Sequence, residues 1–154
     1  MNHPLLNKPA PDFSATAHDG WVFSPSLYKG KKNIILFFYP KDESPGCTAE
    51  ACSFRDTLPF FEASEAVVVG ISPDSPKSHA AFAARHSLNY PLISDESGHI
   101  SSLYQVPRDL LGLLPGRATY IIDKEGIIRG VFRSALQFKR HVEEACRIIS
   151  QLTK

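Results

Sequence analysis

The feature that most constrains this chain is a pair of buried-strand patterns with helix-forming sequence between them. Ile34-Ile35-Leu36-Phe37-Phe38-Tyr39 is an unbroken apolar run of β-favouring residues ended by Pro40. A run of that length and composition marks a strand buried on both faces. Ala66-Val67-Val68-Val69-Gly70-Ile71-Ser72 repeats the pattern. Between them a polar turn leads to Cys47, where Ala49, Glu50 and Ala51 favour a helix starting close to that cysteine. This helix is expected to run to about Glu62, with Pro59 bending or breaking it. Strand, helix and strand in that order form a βαβ crossover.

The flanking sequence extends the unit. Phe13 to Ala17 and Trp21-Val22-Phe23 read as two short strands joined by the turn His18-Asp19-Gly20. Ser75 is a candidate N-cap, with Pro76 at the first position of a helix carrying Ala80, Ala81, Phe82 and Ala84. Pro91 to Ser94 reads as a strand and Ile100 to Tyr104 as a helical turn. Ala118 to Asp123 and Ile127 to Phe132 flank a hairpin turn, and a last helix spans about Leu136 to Leu152. In that helix Phe138, Val142, Ala145, Cys146, Ile149 and Leu152 form one apolar stripe, on which Cys146 reads as a buried core thiol. The sum is a mixed α/β domain over residues 1–154, with helices on both faces of a central sheet.

With 154 residues and 43% hydrophobic content, the chain can bury a core without disulfide staples. A net charge of +1 and one tight basic cluster, Lys29, Lys31 and Lys32, leave no electrostatic footprint for nucleic acid or anionic membrane. No apolar run approaches a membrane span, and Met1 to Pro4 lacks the marks of a signal peptide. A cytoplasmic location is expected, unless a transit peptide was removed. Three cysteines are too few for a disulfide framework and fit a reducing compartment. The six histidines show no zinc-binding spacing, so surface roles are expected for them, and no metal.

Cys47 is the candidate nucleophile. The first turn of a helix has unpaired N–H groups and the positive end of the dipole, so a thiol placed there is expected to ionise more easily. Lowering a thiol from about 8.5 to about 6 raises its ionised fraction at neutral pH only about thirtyfold. Enzymes commonly supply about a millionfold or more, so a cation and oriented donors are also needed.

The run YPKDESPGCTAEACSFRD, Tyr39 to Asp56, resembles the peroxiredoxins. Their Pro-x-x-x-Thr/Ser-x-x-Cys motif corresponds to Pro40, Ser44 and Cys47, and the longer run is similar to the peroxiredoxin Q, or bacterioferritin-comigratory-protein, subgroup. The segment Asp109 to Gly126 looks closest to its plant and cyanobacterial branch. The resemblance implies a thioredoxin-like fold with an N-terminal β-hairpin, and reduction of hydrogen peroxide and organic hydroperoxides without a cofactor. It implies that Cys47 attacks and Cys52 resolves. Arg117 would reach the thiolate from the start of a neighbouring strand, Ser44 Oγ and the Cys47 amide would hold the peroxide oxygens, and Pro40 would exclude water. Ser44 departs from the more usual Thr, keeping the hydroxyl but losing the β-branch that stiffens the rotamer. Glu50, one turn after Cys47, reads as an aligner of Arg117 rather than a base. Thr48 and Arg55 read equally as supporting residues or as a solvated helix face.

A sulfenic acid on Cys47 would condense with a second thiol to a disulfide. Residues five apart in a regular helix have Cα atoms about 8.6 Å apart, whereas a disulfide needs about 4.4–6.8 Å. If Cys47 and Cys52 share a helix, the segment from about Pro45 to Arg55 must therefore melt in each cycle. An external dithiol would then reduce the bridge; the resemblance implies thioredoxin, and a monomer. The apolar loop Leu110 to Pro115 reads either as ordinary loop packing or as a substrate collar. Other classes compatible with the residues are a thiol redox sensor, a noncatalytic thioredoxin-fold binding module and, disfavoured by the Cys-x-x-x-x-Cys spacing, a general disulfide reductase.

Overall fold

The computed structural model describes residues 3–108 and 116–153. In chain order the elements are β1 (Ala15–Thr16), β2 (Val22–Phe23), a 3-10 turn (Pro25–Tyr28), β3 (Asn33–Phe38), α1 (Pro45–Ala63), β4 (Ala66–Ser72) and α2 (Pro76–His86). There follow β5 (Leu92–Ser94), α3 (His99–Leu103), β6 (Ala118–Ile122), β7 (Ile128–Arg133) and α4 (Phe138–Leu152).

β1 and β2 form the expected N-terminal hairpin. Its turn works because Gly20 adopts φ +89 and Asp19 Oδ1 accepts from the Trp21 amide at 3.0 Å. The main sheet has the order β5-β4-β3-β6-β7. β3, β4 and β5 run parallel, while β6 pairs antiparallel with both β3 and β7. Period-two alternation divides the central strand between two cores. Ile35, Phe37 and Tyr39 join α1, α2 and α4 on one face. Ile34, Leu36 and Phe38 face the N-terminal segment and α3 on the other. Helices therefore lie on both faces, though α3 has only five residues and the second core is closed largely by Phe13, Ala17 and Phe23.

Three expectations need correction. α1 ends at Ala63, close to the expected Glu62, and of the two effects expected of Pro59 the break does not occur. An interior proline costs a helix about 3 kcal/mol or more. Phe54, Leu58 and Phe61, all buried, hold α1 on both sides of it, and each such side chain contributes about 1.5–3 kcal/mol. α4 begins at Phe138 and not Leu136, which stays 79% exposed; the Ser134 hydroxyl accepts from the Gln137 amide at the turn before it. Cys146, expected as a buried core thiol, packs against the margin of the first core and is half-buried.

Candidate active site

The register of the sheet decides what meets Cys47. β3 ends at Phe38, and the chain turns through Pro40 to Ser44, whose carbonyl accepts from the Thr48 amide at 2.8 Å to start α1. Cys47 thus lies in the first turn, 1% exposed. On the antiparallel neighbour β6, Phe38 is opposite Ala118, so Arg117, one residue earlier, arrives where β3 hands over to α1. Its Nη2 donates to Cys47 Sγ at 3.2 Å. Its Nη1 donates to Glu50 Oε1 at 2.8 Å, and its Nε to the Ala135 carbonyl at 3.2 Å. The guanidinium also lies 4.8 Å from the centre of the Phe138 ring, a cation–π contact. That ring packs so closely on Gly46 that a Cβ there would lie 2.4 Å from it. A glycine before Cys47 is what lets α4 cover the thiol.

Glu50 is fully buried. Burial pushes its carboxyl up to about 8, against the opposing pull of Arg117. Its Oε2 has no hydrogen-bond partner among the described residues, with His141 Nδ1 3.4 Å away. His141 is also fully buried, between Thr119 Oγ1 (2.8 Å from Nδ1) and the Ser134 carbonyl (2.9 Å from Nε2).

Cys52 is half-buried on the same helix as Cys47, and both thiols are free. Arg55 Nη1 lies 3.6 Å from Cys52 Sγ and donates to the His86 carbonyl at 2.7 Å. Arg55 therefore ties α1 to the end of α2, which is more than a solvated helix face. Between the two cysteines, Tyr90 donates its buried hydroxyl to the Ala51 carbonyl at 2.7 Å.

Ser44 Oγ donates to the Lys41 carbonyl at 2.9 Å, and both Ser44 and Pro40 are half-buried. The turn that holds them is braced from below. Asp42, 5% exposed, receives Tyr39 Oη at 2.6 Å, Ser78 Oγ at 2.8 Å and His79 Nδ1 at 2.7 Å. His79 Nε2 faces the Ile93 carbonyl at 3.1 Å. Asp74 holds the same turn through the Asp42 amide and Ser72 Oγ. The oxygens and nitrogen of Asp42, Asp74 and His79 converge, but each is occupied by these hydrogen bonds, which makes the cluster a strut.

His79 and His141 correct the expectation that the histidines are surface residues: both are completely buried. The sequence signal for His141 was its place among Phe138, Val142 and Ala145 on the apolar stripe of α4. The loop Leu110 to Pro115 lies outside the described residues. A cleft of about 640 Å³ opens beside Gly116, over the ends of β3 and β4, but Cys47, Cys52, Glu50 and Arg117 do not line it. The site is defined by converging chemistry, not by concavity. Among the described residues no helix is long and apolar enough to cross a membrane.

The AhpC/TSA family model matches residues 6–131. The chain is 43% identical over 142 residues to the chloroplastic peroxiredoxin Q of Populus jackii, covering 92% of this chain; it spans 66% of that relative's length. Its structure is similar to peroxidoxin BcpB of Mycobacterium tuberculosis, with TM-score 0.87, 33% identity, and 97% and 99% of the two chains covered. It is also similar to the Xanthomonas campestris bacterioferritin comigratory protein, described for its alkyl peroxide reduction activity, with TM-score 0.83, 26% identity and 92% of each chain covered. These likenesses bear out the thioredoxin-like fold.

Proposed function

Because the chain belongs to the AhpC/TSA family, within its peroxiredoxin Q and bacterioferritin-comigratory-protein subgroup, we propose that it is a thiol-dependent peroxidase acting on hydrogen peroxide and organic hydroperoxides. The observation that supports this best is the buried guanidinium of Arg117 at 3.2 Å from Cys47 Sγ. A cation at that distance favours the thiolate and remains in place to meet the charge that develops on the peroxide as its O–O bond lengthens.

In this mechanism the Cys47 thiolate attacks one peroxide oxygen. The S–O bond forms, the O–O bond breaks, and the departing oxygen takes a proton to leave as water or an alcohol. Ser44 Oγ, freed from the Lys41 carbonyl, and the Cys47 amide hold the peroxide oxygens, while Pro40 limits water. Cys52 then attacks the sulfenic sulfur, forming the 47–52 disulfide and releasing water. A dithiol of the thioredoxin kind supplies two electrons and two protons to restore both thiols, so cysteine chemistry proceeds with no prosthetic group. In the same reading the unit of function is a monomer. Activity toward alkyl hydroperoxides is favoured by the Xanthomonas campestris likeness.

The test is consumption of NADPH with thioredoxin, thioredoxin reductase and hydrogen peroxide. Cys47→Ser and Cys52→Ser should both lose turnover, while Cys52→Ser still consumes one equivalent of peroxide rapidly. Full turnover in Cys52→Ser would assign resolution to Cys146 or an external thiol. A single oxidation without turnover in the wild type would favour a redox sensor, and an unreactive Cys47 a binding module.

A further inference from the structure

We propose that His141 is a positioning residue that keeps a proton on Glu50, so that the single buried guanidinium of the site serves the Cys47 sulfur. This rests on the peroxidase reading above and assigns a role to a residue outside the Cys47 motif.

The starting point is a count of charges. Cys47, Glu50, Arg117 and His141 are 1%, 0%, 5% and 0% exposed. Arg117 donates through Nη2 to sulfur and through Nη1 to Glu50 Oε1, so one cation faces two groups that can each become an anion. Two anions against one cation would leave an uncompensated charge where solvent cannot reach it, which is strongly disfavoured. A thiolate on Cys47 therefore requires Glu50 to stay neutral.

The orphaned Oε2 shows how that is arranged. A buried polar atom without a partner calls for an explanation. The Ser134 carbonyl can only accept, so the proton of a neutral His141 belongs on Nε2, and Nδ1 presents a lone pair. Thr119 Oγ1 donates to that lone pair, and Glu50 Oε2 faces it at 3.4 Å. An ionised Oε2 would confront a nitrogen lone pair with no hydrogen between them. A protonated Oε2 can turn its hydrogen toward Nδ1, sharing that lone pair with the Thr119 hydroxyl.

Burial acts in the same direction, independently of His141. Glu50 is pushed up to about 8 by burial. Burial takes His141 down to about 4, against the Ser134 hydrogen bond and with help from the Arg117 charge. Of the other titratable groups around Glu50, Cys47 lies on its own helix, Arg117 comes from the start of β6, and Tyr90 comes from the segment before β5. Tyr90 is held far above its ordinary value, chiefly by burial, and its hydroxyl is committed to Ala51.

The experiment titrates the Cys47 thiolate by its ultraviolet absorbance in a Cys52→Ser, Cys146→Ser background. His141→Leu should raise the midpoint by about one pH unit, an approximately tenfold loss of thiolate below it. His141→Asn, whose Oδ1 can replace Nδ1 as an acceptor, should keep the parent midpoint. Adding Glu50→Gln to His141→Leu should return the midpoint, because an amide cannot ionise and compete for Arg117. A packing role for His141 would not be undone by a change at Glu50. An unmoved midpoint in His141→Leu, or a shift that persists in the double variant, overturns the proposal. If His141→Leu does not fold, Glu50→Gln alone decides: a midpoint at or below the parent is expected, and a raised one overturns it. Failure of the peroxidase reading is separate, since the parent would then show its thiolate but consume no peroxide.

Discussion

Asp42 and His141 give the molecule opposite buried charge states with the same response to acid. Burial alone would raise the Asp42 carboxyl, but hydrogen bonds from His79, Tyr39 and Ser78 and the His79 charge together hold it below the ordinary carboxylate range. A carboxyl lowered by folding stabilises the native state above its unfolded value of about 3.9, and that contribution is lost as pH falls through the folded value. His141, kept neutral down to about 4, adds loss of stability with the same sign as pH falls from about 6.5. Asp42→Ala should destabilise the protein at neutral pH by about 3–5 kcal/mol, because His79 would lose its buried partner. Urea unfolding from pH 7 to pH 3 should then show a shallower acid slope for Asp42→Ala than for wild type; parallel slopes would dismiss the strut. Neither histidine's role was legible in the sequence. His79 meets Asp42 across 37 positions and His141 meets Thr119 across 22, and no local spacing encodes those meetings. Cys47 was legible because its placement depends on local signals, a strand end followed by a helix start.

At the level of elements, α1 has two halves with different attachments. Its second half is held by Phe54, Leu58 and Phe61 in the core. Its first half adds polar ties to the core contacts of Cys47 and Ala51: Tyr90 to the Ala51 carbonyl and Glu50 to Arg117, with Arg55 bound to the His86 carbonyl where the halves meet. Glu43 in the turn before it also pairs with His86 at 2.8 Å. Joining Cys47 to Cys52 must undo the tie at Ala51, which lies between them. Tyr90→Phe removes that hydrogen bond, worth about 0.5–1.5 kcal/mol, with little change in shape. Where melting limits the step, disulfide formation after one equivalent of peroxide should quicken about two- to tenfold, as read by acid-quenched thiol counting. An unchanged or slower step would mean that α1 does not open there. The sequence predicted the helix and its melting from the five-residue spacing of the cysteines. It could not predict Tyr90, which comes from the segment before another strand. Pro59 misled in the other direction, because tertiary anchoring outweighed a local breaking signal.

For the whole molecule, the sheet order follows from buried runs and hairpin signals that local sequence carries well. The mutual placement of α1, β6 and α4 around one thiol depends on register, of which the sequence held only the resemblance at Arg117. The reduced form has every tie in place, whereas a 47–52 bridge requires α1 to give up its first turns. A link across four intervening residues restricts the unfolded chain only modestly. Oxidation should therefore lower thermal stability, by roughly 2–4 °C for each kcal/mol of lost structure. Calorimetry on the two forms measures this, and a higher transition for the oxidised protein would contradict it. In the proposed cycle the first half of α1 would act on the thermodynamics of electron transfer as well as on geometry. By closing the cycle between folding and oxidation, the stability lost on forming the bridge reappears as a less negative reduction potential. In the proposed 47–52 cycle the helix is a spring that oxidation extends, and its recoil would help drive electrons in from the next dithiol.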